Sequence, residues 1–178
     1  FFIATKHDSH AELVIKSLMV GKNVFIEKPL CLTIEELDEI KNCLKKISSK
    51  SDKSNVPILM VGYNRRFSNL VIKLKDLTQK INGPKSFIYS CNAGFIPKSH
   101  WIHDKNIGGG RLIGEACHFV DLLRYIADSK IIDIKIFKMK IAEDLNDTFT
   151  LQLTFMDNSI GTIHYFSNGS KEFSKERL

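Results

Sequence analysis

The sequence is poor in arginine, proline and tryptophan, and it has no long apolar run. Only five of its 26 basic residues are arginine, and the lysines are spread along the chain. The net charge of +6 therefore reads as solvated helix faces and argues against a nucleic-acid partner. No apolar stretch approaches the roughly 18 residues that a membrane span requires. Four cysteines (Cys31, Cys43, Cys91, Cys117) form no C-x-x-C pair and match no zinc spacing. They read as reduced, mostly buried thiols of a cytoplasmic protein. There is no P-loop, no G-x-S-x-G and no G-x-G-x-x-G. His100 and His103 flank Trp101, but no third ligand is spaced with them, so no metal is expected. The chain opens with Phe1-Phe2-Ile3-Ala4-Thr5, inside an apolar run and without Met, and so reads as cut from something longer.

What is present is an ordinary globular composition. With 178 residues, 43% hydrophobic and 26% charged, the chain can bury one core or two small ones. Residues 1–4 read as a short buried strand. His10 to Val20 carries Ala11, Leu13, Val14 and Leu18 at helical spacing, and Gly21 is a good stop. Asn23–Ile26 is a second strand. Thr33-Ile34-Glu35-Glu36 fits a capping box, and Leu37, Ile40, Leu44 and Ile47 form the stripe of the helix it opens. Strand, helix, strand, helix implies parallel strands with crossover helices.

After the polar connection 48–55 the spacing predicts a strand at 57–62. An amphipathic helix follows over 69–81 (Leu70, Ile72, Leu74, Leu77, Ile81), then a strand at 85–92 and a long loop at 93–110. A helix over 112–127 precedes strands at 131–141, 147–156 and 159–167, with Asp157-Asn158 as a hairpin turn. The polar end, SNGSKEFSKERL, predicts no further strand. A parallel α/β part thus gives way to an α+β part with hairpin links, the boundary falling near 62–68.

Three constellations can carry chemistry. Glu27-Lys28-Pro29 ends a predicted parallel strand, the edge at which open α/β sheets bind ligands. Pro29 fixes its own φ, and its preceding bond is of the kind that can be cis. A lysine held there can polarise an alcohol or carbonyl; a surface turn with a salt bridge fits equally. On helix 112–127, Glu115, His118, Asp121 and Tyr125 share one stripe. A carboxylate one turn from His118 can orient its ring for acid–base work; a satisfied core histidine is the plainer reading, and Asp121 reads as more structural than Glu115. Gly108-Gly109-Gly110 permits close approach to a ligand or simply a tight turn before the helix. Trp101, in the long loop, can stack on a ring or close a cleft.

Ile3-Ala4-Thr5 with His10, GKNVFIEKPL at 21–30, GYNRRF at 62–67 and GGGRLIGEACHFVDLL at 108–123 occur in that order. Together they resemble the glucose-fructose oxidoreductase / inositol dehydrogenase / MocA family, over nearly the whole chain. The wording around SHWIHD and GGGRLIGEACHFVD is most similar to a subgroup fused behind a zinc-type alcohol dehydrogenase-like domain. The resemblance implies the C-terminal part of a Rossmann-type NAD- or NADP-binding domain over 1–64. It implies an α+β substrate-binding and oligomerisation domain with a largely antiparallel open sheet over 65–178. It also implies hydride transfer between nicotinamide and a carbon of a sugar, cyclitol or related polyol.

On the same resemblance Lys28 contacts the reacting hydroxyl, and Glu27 and Pro29 shape the nicotinamide end. Thr5, His10 and Trp101 lie beside the cofactor. Asn64 and Arg65 lie near nicotinamide and substrate, and His118 is a substrate contact and acid/base partner. The sequence departs from the family pattern at Gly114, where an aspartate is usual, and Glu115 is expected to support His118 instead. The upstream Gly-rich half and the usual final strands are absent. A homo-oligomer through the C-terminal sheet is expected, with no nucleic acid and no membrane. Three other readings stay open: an NAD-dependent glycosidase, a non-catalytic dinucleotide sensor, and a fragment that only oligomerises.

Overall fold

The computed structural model describes residues 1–50, 55–139, 147–170 and 172–178. The chain divides into two units, Phe1–Tyr63 with Trp101–Cys117, and Asn64–His100 with His118–Leu178. The sequence predicts a single boundary, between 64 and 65. The structure groups Trp101–Cys117 with the first unit, through contacts to residues some 86 to 101 positions upstream.

In the first unit β1 (Phe2–Ile3), β2 (Val24–Ile26) and β3 (Leu59–Val61) form a parallel sheet in the order β1-β2-β3. Helix α1 (His10–Met19) and helix α2 (Ile34–Lys50) are the crossovers. Ile3, Val14, Leu18, Val24, Ile26 and Ile40 make its core, in the positions the helical and strand spacing predicts. Gly21 ends α1 at φ 70°, a left-handed conformation that costs glycine little. The Thr33 box is closed in both directions: the Glu36 amide donates to Thr33 Oγ1 at 3.1 Å and the Thr33 amide to Glu36 Oε2 at 3.2 Å. Helix α2 runs through 48–50, where the polar composition predicts a connection; residues 51–54 of that connection lie outside the described residues.

In the second unit α3 (Asn69–Gln79), β4 (Ser86–Asn92), α4 (Cys117–Ala127, its body from His118 on), β5 (Ile131–Lys138), β6 (Phe149–Phe155), β7 (Ile160–Phe166) and β8 (Glu176–Arg177) follow in chain order. The sheet order is β5-β6-β7-β4-β8, antiparallel except for the β4–β7 pair. Alternation in β6 buries Phe149, Leu151, Leu153 and Phe155. Tyr89 stacks on Phe119 at 4.7 Å, which joins α4 to the sheet, and Phe149 stacks on its cross-strand neighbour Tyr165 at 4.8 Å. The expected hairpin turn is present, with Asn158 at φ 66°. Residues 140–141 of the expected strand 131–141 lie outside the described residues.

Two expectations are corrected here. The polar end does form a strand: β8 pairs antiparallel with β4, because Glu176 finds Arg65 and Tyr89 far away in sequence. The apolar stripe expected over 69–81 is not the packed face. Leu70 is 81% exposed, and Leu77 and Ile81 are also exposed. The half-buried side is Val71, Leu74, Lys75 and Thr78, and the Lys75 ammonium lies 4.1 Å from the Tyr125 ring centre.

Candidate functional site

In the first unit the carboxyl ends of β1 and β2 put Thr5 and Glu27-Lys28-Pro29 on one edge of a parallel sheet. Thr5 and Glu27 are exposed, Lys28 is half-buried and Pro29 is buried. The Lys28–Pro29 bond is cis. Lys28 is not on a surface salt bridge: its Nζ donates to the Gly114 carbonyl at 2.8 Å. One N–H is thereby committed and two remain. His10 is fully buried, with Nδ1 2.6 Å from Pro29 O and Nε2 3.1 Å from Thr5 O. It ties the segment after β1 to the Lys28-Pro29 turn, so its ring serves the shape of this edge.

Trp101 opens a short 3₁₀ turn, Trp101–His103, and its ring stands edge-on to His7 at 4.9 Å. His7 is 7% exposed, and its Nδ1 bonds to Gly108 O at 2.8 Å. A carbonyl oxygen only accepts, so Nδ1 carries the proton and Nε2 is the basic nitrogen. Burial holds the His7 imidazole below its usual pKa against the opposing pull of the Gly108 hydrogen bond; His10 and Lys28 add to the lowering, and Asp8 opposes it. Sequence reasoning passes over His7, because its partners lie about a hundred positions away.

The three glycines have separate reasons. A Cβ on Gly108 would lie 2.4 Å from the Ile102 Cα, and backbone cannot yield there. Gly109 and Gly110 have φ of 74° and 81°. The tight turn is thus the reading that the geometry supports. The expected helix 112–127 begins differently: Leu112–Ala116 is a π-helical turn, and α geometry starts at Cys117. The α spacing that aligns Glu115 with His118 does not extend through that turn, in which Gly114 O is taken by Lys28. Glu115 Oε1 lies 3.7 Å from the Nε of buried Arg111.

In the second unit Asn64 and Arg65 lie in a 3₁₀ turn, Asn64–Phe67. Asn64 is exposed. The Arg65 guanidinium is held by Glu176, with Nη2 donating to Oε1 at 2.7 Å, and it lies 5.0 Å from the Phe119 ring centre. Tyr89 donates its hydroxyl to Glu176 Oε2 at 2.7 Å. Burial opposes the charges, yet Arg65 and Tyr89 hold the Glu176 carboxyl below its usual range. Burial and the Glu176 carboxylate push the Tyr89 phenol well up, so it stays a donor. His118 is half-buried on α4. Asp121, one turn on, is bound by Arg66, whose Nε donates to Oδ2 at 2.6 Å, and so serves structure. Among the described residues no group of three or more His, Cys, Asp or Glu is placed to hold a metal, and no helix is long and apolar enough to cross a membrane.

The donor set at the β1–β2 edge fits the nicotinamide end of a dinucleotide. It has an exposed hydroxyl at Thr5, two spare N–H groups on Lys28 and a flat ring at Trp101. No Gly-rich phosphate turn stands in this sequence.

Residues 1–50 match the family profile described as "Oxidoreductase family, NAD-binding Rossmann fold", and residues 84–175 match "GFO/IDH/MocA C-terminal domain". A myo-inositol 2-dehydrogenase of Thermotoga maritima is 30% identical over 173 residues, 90% of this chain and 47% of that protein. The scyllo-inositol 2-dehydrogenase (NAD(+)) of Bacillus subtilis is 26% identical over 98% of this chain and 47% of its own length. An NAD-binding protein from Listeria innocua superposes with a TM-score of 0.76 at 26% identity, over 98% of this chain and 50% of that one. The chain spans about half the length of these relatives.

Proposed function

The chain belongs to the GFO/IDH/MocA oxidoreductase family, and on that premise we propose that it serves an NAD- or NADP-dependent dehydrogenase. The reaction is hydride transfer between nicotinamide and a CH–OH carbon of a sugar, cyclitol or related polyol. The observation that carries this reading is Lys28, held by Gly114 O at the carboxyl edge of the parallel sheet with two N–H groups to spare. An ammonium there can hold a substrate oxygen and stabilise the charge it develops.

The bound dinucleotide supplies the hydride acceptor. Thr5, His10, Glu27, Lys28, Pro29, Asn64 and Trp101 form its surroundings in this proposal. Lys28 contacts the reacting hydroxyl and His118 is its acid/base partner, with Glu115 supporting His118 and with Asn64 and Arg65 touching substrate. Arg65 meets substrate as a cation already neutralised by Glu176, so it orients more than it attracts.

The exposed Ile132, Ile134, Ile136, Ile88 and Ile160 of the open sheet support a homo-oligomer through that sheet. The four cysteines form no disulfide, which supports a reducing, cytoplasmic setting. An upstream alcohol dehydrogenase-like domain belongs to the same reading.

The test uses the complete protein with NAD⁺ and NADP⁺ against myo-inositol, scyllo-inositol, D-glucose and levoglucosan, followed at 340 nm. The expected result is reduction with at least one pair. Lys28→Ala should lower kcat about 10²-fold or more with the fold intact. Dinucleotide binding without turnover on any polyol would favour the sensor, and glycoside cleavage without net NADH the glycosidase.

A further inference from the structure

Gly114 does two things at once. Its carbonyl fixes Lys28, and its missing side chain leaves room for another residue. A Cβ at 114 would lie 2.9 Å from Ile102 Cδ1, 3.1 Å from His7 Cε1 and 3.6 Å from His7 Nδ1. The imidazole of His7 therefore shares the place of a side chain at 114 with the end of Ile102, beside the group that holds Lys28. With Nδ1–H spent on Gly108 O, the lone pair of the ring is on Nε2, and no described residue bonds to it. The charged and titratable groups that face this ring are Lys28, His10 and Asp8, and Lys6 Nζ lies 5.9 Å from the Trp101 ring centre. His10 has both ring nitrogens on carbonyls. His7 is the histidine of this edge with a basic nitrogen to offer.

We propose that His7 is the proton partner of Lys28, seated where position 114 has no side chain. This rests on the dehydrogenase reading above. In the oxidative direction the substrate C–H pair leaves as hydride to the nicotinamide, and the C=O bond forms. The Lys28 ammonium gives up one proton, through one water, to His7 Nε2, and the amine nitrogen so exposed takes the proton of the breaking O–H bond, which returns Lys28 to the ammonium. The imidazolium then loses that proton to solvent. His7 touches no substrate and acts through Lys28, so it is a positioning residue. Burial keeps its imidazole neutral, and hence able to accept, through the neutral pH range.

The experiment takes the complete protein, the polyol that turns over best, and the variants His7→Asn and His7→Ala/Gly114→Asp. Asn keeps an N–H for Gly108 O and does not titrate. His7→Asn should lower kcat about tenfold to a hundredfold with KM for NAD⁺ unchanged. It should also erase the acid limb of the pH–rate profile that lies below pH 6.5. The double variant restores an acceptor beside Lys28, so activity should return with the acid limb moved into the carboxylate range.

A second readout needs no turnover. The component of the emission that Trp101→Phe removes should be quenched on acidification with a midpoint below 6.5. His7→Asn should abolish this transition. Lys28→Met should raise its midpoint, because the lysine's charge disfavours the imidazolium. A wild type that turns over but keeps its acid limb in His7→Asn overturns the role of His7 alone. A tryptophan titration untouched by His7→Asn or Lys28→Met overturns it too. A wild type that oxidises no polyol overturns the dehydrogenase reading, and this role with it.

Discussion

Replacing Glu176 by Gln tests how β8 is held. The carboxylate accepts from Arg65 Nη1 and Nη2 and from the Tyr89 hydroxyl, and the two charged side chains are only 27% and 28% exposed. The pair lies between two regimes: exposed ion pairs contribute about 0–1 kcal/mol, and breaking a fully buried pair costs about 3–5 kcal/mol. Gln keeps the shape and one acceptor but turns an amide N–H₂ toward Arg65 or Tyr89. The Phe119 face offsets part of the loss, about 0.5–1 kcal/mol at such a site. A destabilisation of about 2 kcal/mol at pH 7 results.

The pH dependence gives the sharper test. Glu176 is depressed below its ordinary value of 4.5 in the folded protein. Between the folded and unfolded values the unfolded chain binds more protons, so this contribution is full above about 4.5 and is lost as pH falls through the folded value. The difference between wild type and Glu176→Gln should thus shrink on acidification. Urea unfolding of the complete protein, followed by circular dichroism at pH 7 and at pH 3, measures it. A cycle with Arg65→Met isolates the coupling. Equal differences at both pH values, or a coupling below about 0.5 kcal/mol at pH 7, would refute the argument.

Gly108→Ala should cost at least about 1–3 kcal/mol, because the new methyl meets the Ile102 backbone; a melting temperature within error of wild type would count against this. Thr33→Ala removes the acceptor of the Glu36 amide and should cost about 1 kcal/mol, read as a shift in the urea midpoint at constant slope. Phe119→Ala empties a buried ring position between Tyr89 and Tyr165 and should cost about 3–5 kcal/mol, measurable by thermal unfolding.

Features whose causes lie within a few residues are legible in the amino-acid sequence. The Thr33–Glu36 box, the Gly21 stop, the Asn158 turn and the alternation of β6 are each complete within one short segment. Lys28 is legible as a site candidate because a strand ending in Glu-Lys-Pro is itself local. The packed face of α3 is not legible in this way, because five apolar residues can be fitted to more than one stripe. Only packing against α4 selects Val71, Leu74 and Lys75.

The sequence by itself determined most element types, their order up to β7, and a parallel α/β part followed by an α+β part with hairpin links, because hydrogen bonding and burial along the chain have periods that residues display directly. Only the tertiary structure decided that Gly114 holds Lys28, that His7 is fastened to Gly108, and that Glu176 fastens Arg65. These three pairs are separated by 86, 101 and 111 positions. No local pattern encodes a partner at that distance; it is set by which buried polar groups must find one another once the chain has closed.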